Sequence, residues 1–96
     1  MVLNEIEQLF QGFSVLKIKI GNGEDLPRFI LAPNIHLSKD KISIKGINNR
    51  QIDLYSIEYD KIKKIKIADG NVVKLVEFIL QEDKYVVFYL LPNLLN

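Results

Sequence analysis

The chain has no cysteine, no tryptophan and no threonine, and it has one histidine and one methionine. Without cysteine there can be no disulfide frame, no thiolate metal site and no cysteine nucleophile. A reducing location is thereby permitted, and the expected compartment is cytoplasmic. An excess of one charge sign is also missing: thirteen Lys+Arg stand against twelve Asp+Glu, a net charge of +1. No global field draws the chain to nucleic acid or to an anionic membrane, so only a local patch could do so. Long apolar runs are lacking too. The most apolar stretch, from Val72 to Leu95, is broken by Lys74, Glu77, Glu82, Asp83 and Lys84, well short of the roughly 20 apolar residues that span a bilayer. At the N-terminus, Glu5 and Glu7 stand where a secretion signal needs a basic start and an unbroken apolar stretch. Neither a transmembrane segment nor an export signal is expected.

What is present is enough for an unaided core. Ninety-six residues, 48% hydrophobic and 26% charged, match the globular average rather than the composition of disordered chains. Surface scaling buries roughly 65% of the unfolded chain's surface at this size. A single domain over residues 1–96 is expected. Isoleucine is the commonest residue (14) and lysine is high (11), a bias compatible with a thermophilic source or an AT-rich genome.

Residues 3–12 carry the one helical pattern, an apolar stripe of Leu3, Ile6, Leu9, Phe10 and Phe13. Asn4 with Glu7 three residues on suggests an N-cap, and Gly12 a stop. From Ser14 the period becomes two: Leu16, Ile18 and Ile20 alternate with Lys17 and Lys19. Asn22-Gly23 predicts a tight type I′ hairpin. Pro27 and Pro33 bracket Arg28–Ala32 and assign it to an edge, because proline cannot donate to a ladder. Short strands follow at Ile35–Leu37, Ile42–Ile44, Ile52–Tyr59 (with a bulge near Tyr55-Ser56) and Ile65–Ile67. Val72–Leu80 and Tyr85–Leu91 complete the pattern, with Pro92 opening a tail of residues 92–96. The expected fold is β-rich α+β: a short N-terminal helix, then about seven antiparallel strands in a meander over 14–91, forming a bent sheet or partly open β barrel.

The last two strands stand out. In Tyr85–Leu91 both parities are apolar, and in Val72–Leu80 only Lys74 and Glu77 interrupt that condition. A strand with one wet face alternates instead, so these strands call for cover on both sides. A ten-residue helix is about 15 Å long and cannot cover a nine-residue strand of about 30 Å. The remaining apolar surface, together with the Leu94-Leu95 tail, predicts an interaction surface at Tyr85, Tyr89, Leu91, Leu94 and Leu95, used for homodimer formation or for another protein.

Chemistry has few places to reside. His36 lies in an expected strand without a partner nucleophile, and Ser14, Ser38, Ser43 and Ser56 lack a nucleophile-elbow pattern. Asp53, Glu58 and Asp60 lack metal-ligand spacing and have Lys61, Lys63 and Lys64 beside them. Gly21-Asn22-Gly23 leads into Glu24-Asp25 rather than into a helix that could receive phosphate. No catalytic residue, metal or cofactor is assigned, and no enzymatic activity is expected. The alternative function is binding of nucleic acid or anionic lipid through Lys17, Lys19, Lys64 and Lys66, with Tyr55 or Tyr59 available for stacking.

The runs Ile42-Ser43-Ile44-Lys45-Gly46, Arg50-Gln51-Ile52-Asp53-Leu54 and Tyr59-Asp60-Lys61-Ile62-Lys63-Lys64-Ile65-Lys66-Ile67 resemble pleckstrin-homology-like domains of the GRAM and bacterial type, over about residues 34–89. The resemblance implies a strongly bent antiparallel sheet. Members of that family end in a helix, whereas here the helix comes first, and the acidic Gly21–Asp25 loop replaces the basic loop of phosphoinositide binders. A small Sm-like barrel also begins with a helix, but it has five strands.

Overall fold

A computed structural model of the protein describes residues 3–23, 25–46 and 52–93. It contains helix α1 (Leu3–Phe10) and eight strands: β1 (Phe13–Asn22), β2 (Arg28–Leu31), β3 (Asn34–Leu37), β4 (Lys41–Lys45), β5 (Asp53–Glu58), β6 (Ile62–Asp69), β7 (Lys74–Leu80) and β8 (Lys84–Pro92). A single 3-10 turn, Tyr59–Lys61, joins β5 to β6. The strands form two antiparallel sheets, one ordered β2-β1-β8-β7-β6 and the other β3-β4-β5. The fold is therefore mostly β with one short helix, as the periodicity implies.

The strands do not close into a barrel, in keeping with the bent sheet or partly open form expected. The expected meander needs correction, because β1 pairs with β8 near the far end of the chain. The ladder breaks at Ala32-Pro33, where Ala32 takes φ +45 and proline offers no N–H. From there the chain leaves the large sheet to build the small one, and it returns through the 3-10 turn. β2, bracketed by its prolines, is an edge strand as expected.

Helix α1 starts at Leu3, so Asn4 lies within its first turn rather than at the N-cap. Its end follows the sequence: Gln11 N–H bonds the Glu7 carbonyl at 3.0 Å, and Gly12 takes φ +84. The Asn22-Gly23 connection is longer than the two-residue hairpin expected. Gly23 turns left-handed there (φ +59), Asp25 N–H bonds the Asn22 carbonyl, and β2 begins only at Arg28. The tight primed turn sits instead between β7 and β8, where Glu82 (φ 64) and Asp83 (φ 59) are both left-handed. The bulge in β5 falls one residue from the expected place: Ile44 pairs with Tyr55 and Lys45 with Asp53, leaving Leu54 as the extra residue.

One apolar cluster draws on all three layers. The large sheet supplies Ile18, Ile20, Val76, Phe78, Leu80, Val86, Phe88 and Leu90; the small sheet supplies Ile42, Ile44 and Ile57; α1 supplies Ile6. The Phe10 ring meets Phe88 edge-on at 5.0 Å and stacks on Phe78 at 6.4 Å, while Phe78 and Phe88 meet edge-on at 5.4 Å. Each fully buried ring contributes about 1.5–3 kcal/mol. Lys74, which interrupts the apolar run of β7, lies at the rim of this core. Its ammonium donates to the Leu9 carbonyl at 3.4 Å and sits 4.7 Å from the Phe13 ring centre, a cation at the negative end of α1.

Candidate interaction surface

Side chains alternate across a strand, and β8 divides accordingly. Val86, Phe88 and Leu90 point into the core and are fully buried, whereas Tyr85, Val87, Tyr89 and Leu91 point the other way and are half-buried. The same division runs through β7, with Val76, Phe78 and Leu80 inward and Leu75, Glu77 and Ile79 outward. The Phe10 contacts place α1 on the inward side, and Ile42, Ile44 and Ile57 place the small sheet there as well. Both covering layers thus share one face of the large sheet. Among the described elements none covers the other.

Strand register arranges this outer face in rows. One row runs Leu31, Lys17, Tyr89, Leu75, Ala68 from β2 to β6; the next runs Phe29, Lys19, Val87, Glu77, Lys66; a third runs Gly21, Tyr85, Ile79, Lys64 from β1 to β6. Aromatic and aliphatic residues occupy the two central strands, and lysines flank them. The two sequence-derived residue sets, Tyr85, Tyr89 and Leu91 on one hand and Lys17, Lys19, Lys64 and Lys66 on the other, therefore share one surface. Phe29, Leu31, Leu75, Ile79, Val87 and Glu77 belong to it as well. Their strand parity alone could have indicated them. Leu94 and Leu95 lie outside the described residues.

The lysines are not equivalent. The Lys17 ammonium lies 4.7 Å from the Tyr89 ring centre and 5.3 Å from that of Phe29, and the Lys19 ammonium lies 5.8 Å from Tyr85. Such contacts are worth about 0.5–1 kcal/mol each at exposed sites. Lys64 and Lys66 are exposed on β6, about 14 Å away across three strand spacings. Gly21 has its own reason to lack a side chain: a Cβ there would fall 2.0 Å from the Tyr85 ring. The Tyr85 ring thus occupies the space beside Gly21 on β1.

The remaining candidates disperse. His36 is exposed on the outer side of the small sheet, opposite Ser43. Asp53 faces Lys45 at 3.5 Å and Lys41 at 3.9 Å rather than joining Glu58 and Asp60. Tyr59, proposed for stacking, is buried. Its hydroxyl donates to the Ser38 carbonyl at 2.7 Å, and burial, with Asp40 and then Glu7 nearby, raises its pKa above the usual 10.0. Tyr55 packs against the core from β5. The hollow bounded by Lys39, Asp40, Lys41, Glu58 and Asp60 beside Tyr59 is open and of mixed charge. Among the described residues, no three His, Asp or Glu side chains gather as a metal site, and no helix is long and apolar enough to cross a membrane.

Comparison of the chain with family models, with curated proteins and with solved structures finds no match. The pleckstrin-homology-like resemblance accordingly stays an expectation carried by the residues alone.

Proposed function

We propose that this protein is a non-catalytic interaction module that forms a homodimer through the outer face of its five-stranded sheet. The observation that carries the reading is the second face of β8 and β7. Tyr85, Val87, Tyr89, Leu75 and Ile79 form a contiguous aromatic and aliphatic band, while both internal covers lie on the opposite side. Contiguous apolar patches of this kind mark interaction sites.

Size supports a second copy as the occupant. Five strands about 4.8 Å apart and about seven paired residues long make a face of roughly 24 by 23 Å. Two such faces bury on the order of 1,100 Å², above the roughly 1,000 Å² that a specific interface needs and just below the standard range of about 1,200–2,000 Å², the size of a weak dimer. The sheet edges favour stacking over lateral pairing. β2 is four residues long and flanked by prolines, and β6 is rich in lysine and bulged at Lys63, all features that discourage edge-to-edge addition.

Sedimentation velocity from about 1 to 100 µM, the range in which a micromolar dimer dissociates, tests this reading. Conversion from an 11.1 kDa monomer to a dimer is expected, and a lone monomer throughout would contradict it. A second reading, nucleic acid or anionic lipid at Lys17, Lys19, Lys64 and Lys66, draws support from their common face. Two of those ammonium groups already rest on rings, which favours the homodimer. Fluorescence anisotropy with a single-stranded oligonucleotide at low salt tests the second reading: binding at about 10 µM, lost in Lys64→Glu/Lys66→Glu, is its expected signature.

A further inference from the structure

The charge pattern of the outer face selects one way of stacking two copies, and this inference rests on the homodimer reading above. Lys19 and Glu77 stand in the same row, one strand to either side of Val87: Lys19 is opposite Val87 in the β1–β8 ladder, and Glu77 is opposite Val87 in the β7–β8 ladder. Among the described residues no cation lies within ion-pair distance of Glu77. It is the one acid in these three rows and is half-buried, and Lys66, its cross-strand neighbour on β6, is not within ion-pair distance of it.

Two faces can stack with strands aligned to within about 30° in two symmetric ways. A two-fold axis across the strands through the Val87 row lays Lys19, Glu77 and Lys66 each on its own counterpart. Lys19 then meets Lys19 and Glu77 meets Glu77, and like charges in an interface are strongly disfavoured. A two-fold axis along β8 instead lays β1 of one copy over β7 of the other. Lys19 then meets Glu77 twice, once on each side of the axis. The same rotation sets Phe29 over Lys66, a cation and ring pair, and brings Tyr85, Val87 and Tyr89 onto their own counterparts as a central apolar spine.

We propose that the dimer two-fold runs along β8 at Val87 and that two reciprocal Lys19–Glu77 ion pairs between copies fix its register. The test is a charge swap read by sedimentation equilibrium, with folding of each variant confirmed by thermal melting. Lys19→Glu and Glu77→Lys each set like charges opposite one another in both pairs, and each weakens dimerisation about 10-fold or more. The double variant Lys19→Glu/Glu77→Lys exchanges the charges and restores the dissociation constant to within about threefold of the parent. Singles that leave dimerisation unchanged, or a double variant as weak as the sum of the singles, would overturn this axis while leaving a dimer of another geometry. A parent chain that stays monomeric would overturn the homodimer reading itself.

Discussion

Tyr89→Glu separates folding from association, because Tyr89 projects from β8 on the side away from the core. Within one copy its neighbours in the row are Lys17 and Leu75, and the Lys17 ammonium sits 4.7 Å from its ring. Replacing the ring by a carboxylate removes a cation–π contact of about 0.5–1 kcal/mol and puts an ion pair of about 0.2–1 kcal/mol with Lys17 in its place. Strand propensity costs up to about 1 kcal/mol more. The net effect on unfolding is thus about 1 kcal/mol or less. Between copies the balance differs. Each ring covers on the order of 50–100 Å² of partner surface, worth about 1–2.5 kcal/mol at 25 cal/mol per Å², and the loss occurs twice. Two carboxylates would also face one another near the axis. The dissociation constant therefore rises at least about 100-fold, since 1.4 kcal/mol is a factor of ten. Urea melts at low protein concentration give the first quantity and sedimentation equilibrium the second. A loss of several kcal/mol in folding with dimerisation unaffected would refute the assignment of Tyr89 to an outer interface.

Other predictions follow from particular residues. Tyr59 has a folded-state pKa raised above 10.0 by burial and by Asp40 and Glu7, so its contribution is complete below pH 10 and is lost as pH rises through the folded value. Urea melts from pH 7 to 11 should show an alkaline decline that Tyr59→Phe flattens, and the same variant should cost about 1 kcal/mol at pH 7 through the lost bond to the Ser38 carbonyl. The β7–β8 turn holds Glu82 and Asp83 in left-handed conformations that cost about 1–2 kcal/mol per residue. Glu82→Asn with Asp83→Gly should therefore stabilise the fold by roughly 1–2 kcal/mol in thermal or urea melts. Phe88→Ala, at the centre of the ring cluster, should cost about 3–5 kcal/mol, and this effect should persist at protein concentrations where the chain is monomeric. Gly21→Ala should displace the Tyr85 ring and weaken the dimer, detectable as a changed near-ultraviolet tyrosine signal.

Local chemistry made much of this fold legible. The switch from a stripe at helical spacing to strict alternation after Phe13 marked the passage from α1 to β1, and prolines at 27 and 33 placed β2 on an edge. The double-sided character of β8 was legible because both parities of Tyr85–Leu91 are apolar. Turn geometry was less so. Asn22-Gly23 has the residues of a primed hairpin yet forms part of a longer connection, while Glu82-Asp83, without a glycine, forms the tight turn because the paired strands β7 and β8 impose it. The side taken by α1 depends on Phe10 finding Phe78 and Phe88, contacts between residues far apart in the chain that no local period encodes. The candidate surface was half visible for the same reason. Its tyrosines and its lysines were each identifiable from sequence, but their union on one face required the pairing of β1 with β8 and β6 with β7.

The absence of native cysteine allows a direct test of which face two copies share. Val87→Cys places one thiol at the middle of the outer face, and Ser56→Cys places one on the exposed side of the small sheet. Treated with a short bis-maleimide at concentrations where the parent is dimeric, Val87→Cys should yield the covalent dimer and Ser56→Cys should stay a single chain. Efficient cross-linking of Ser56→Cys with none at Val87→Cys would contradict the account, because it would put the contact on the other side of the molecule.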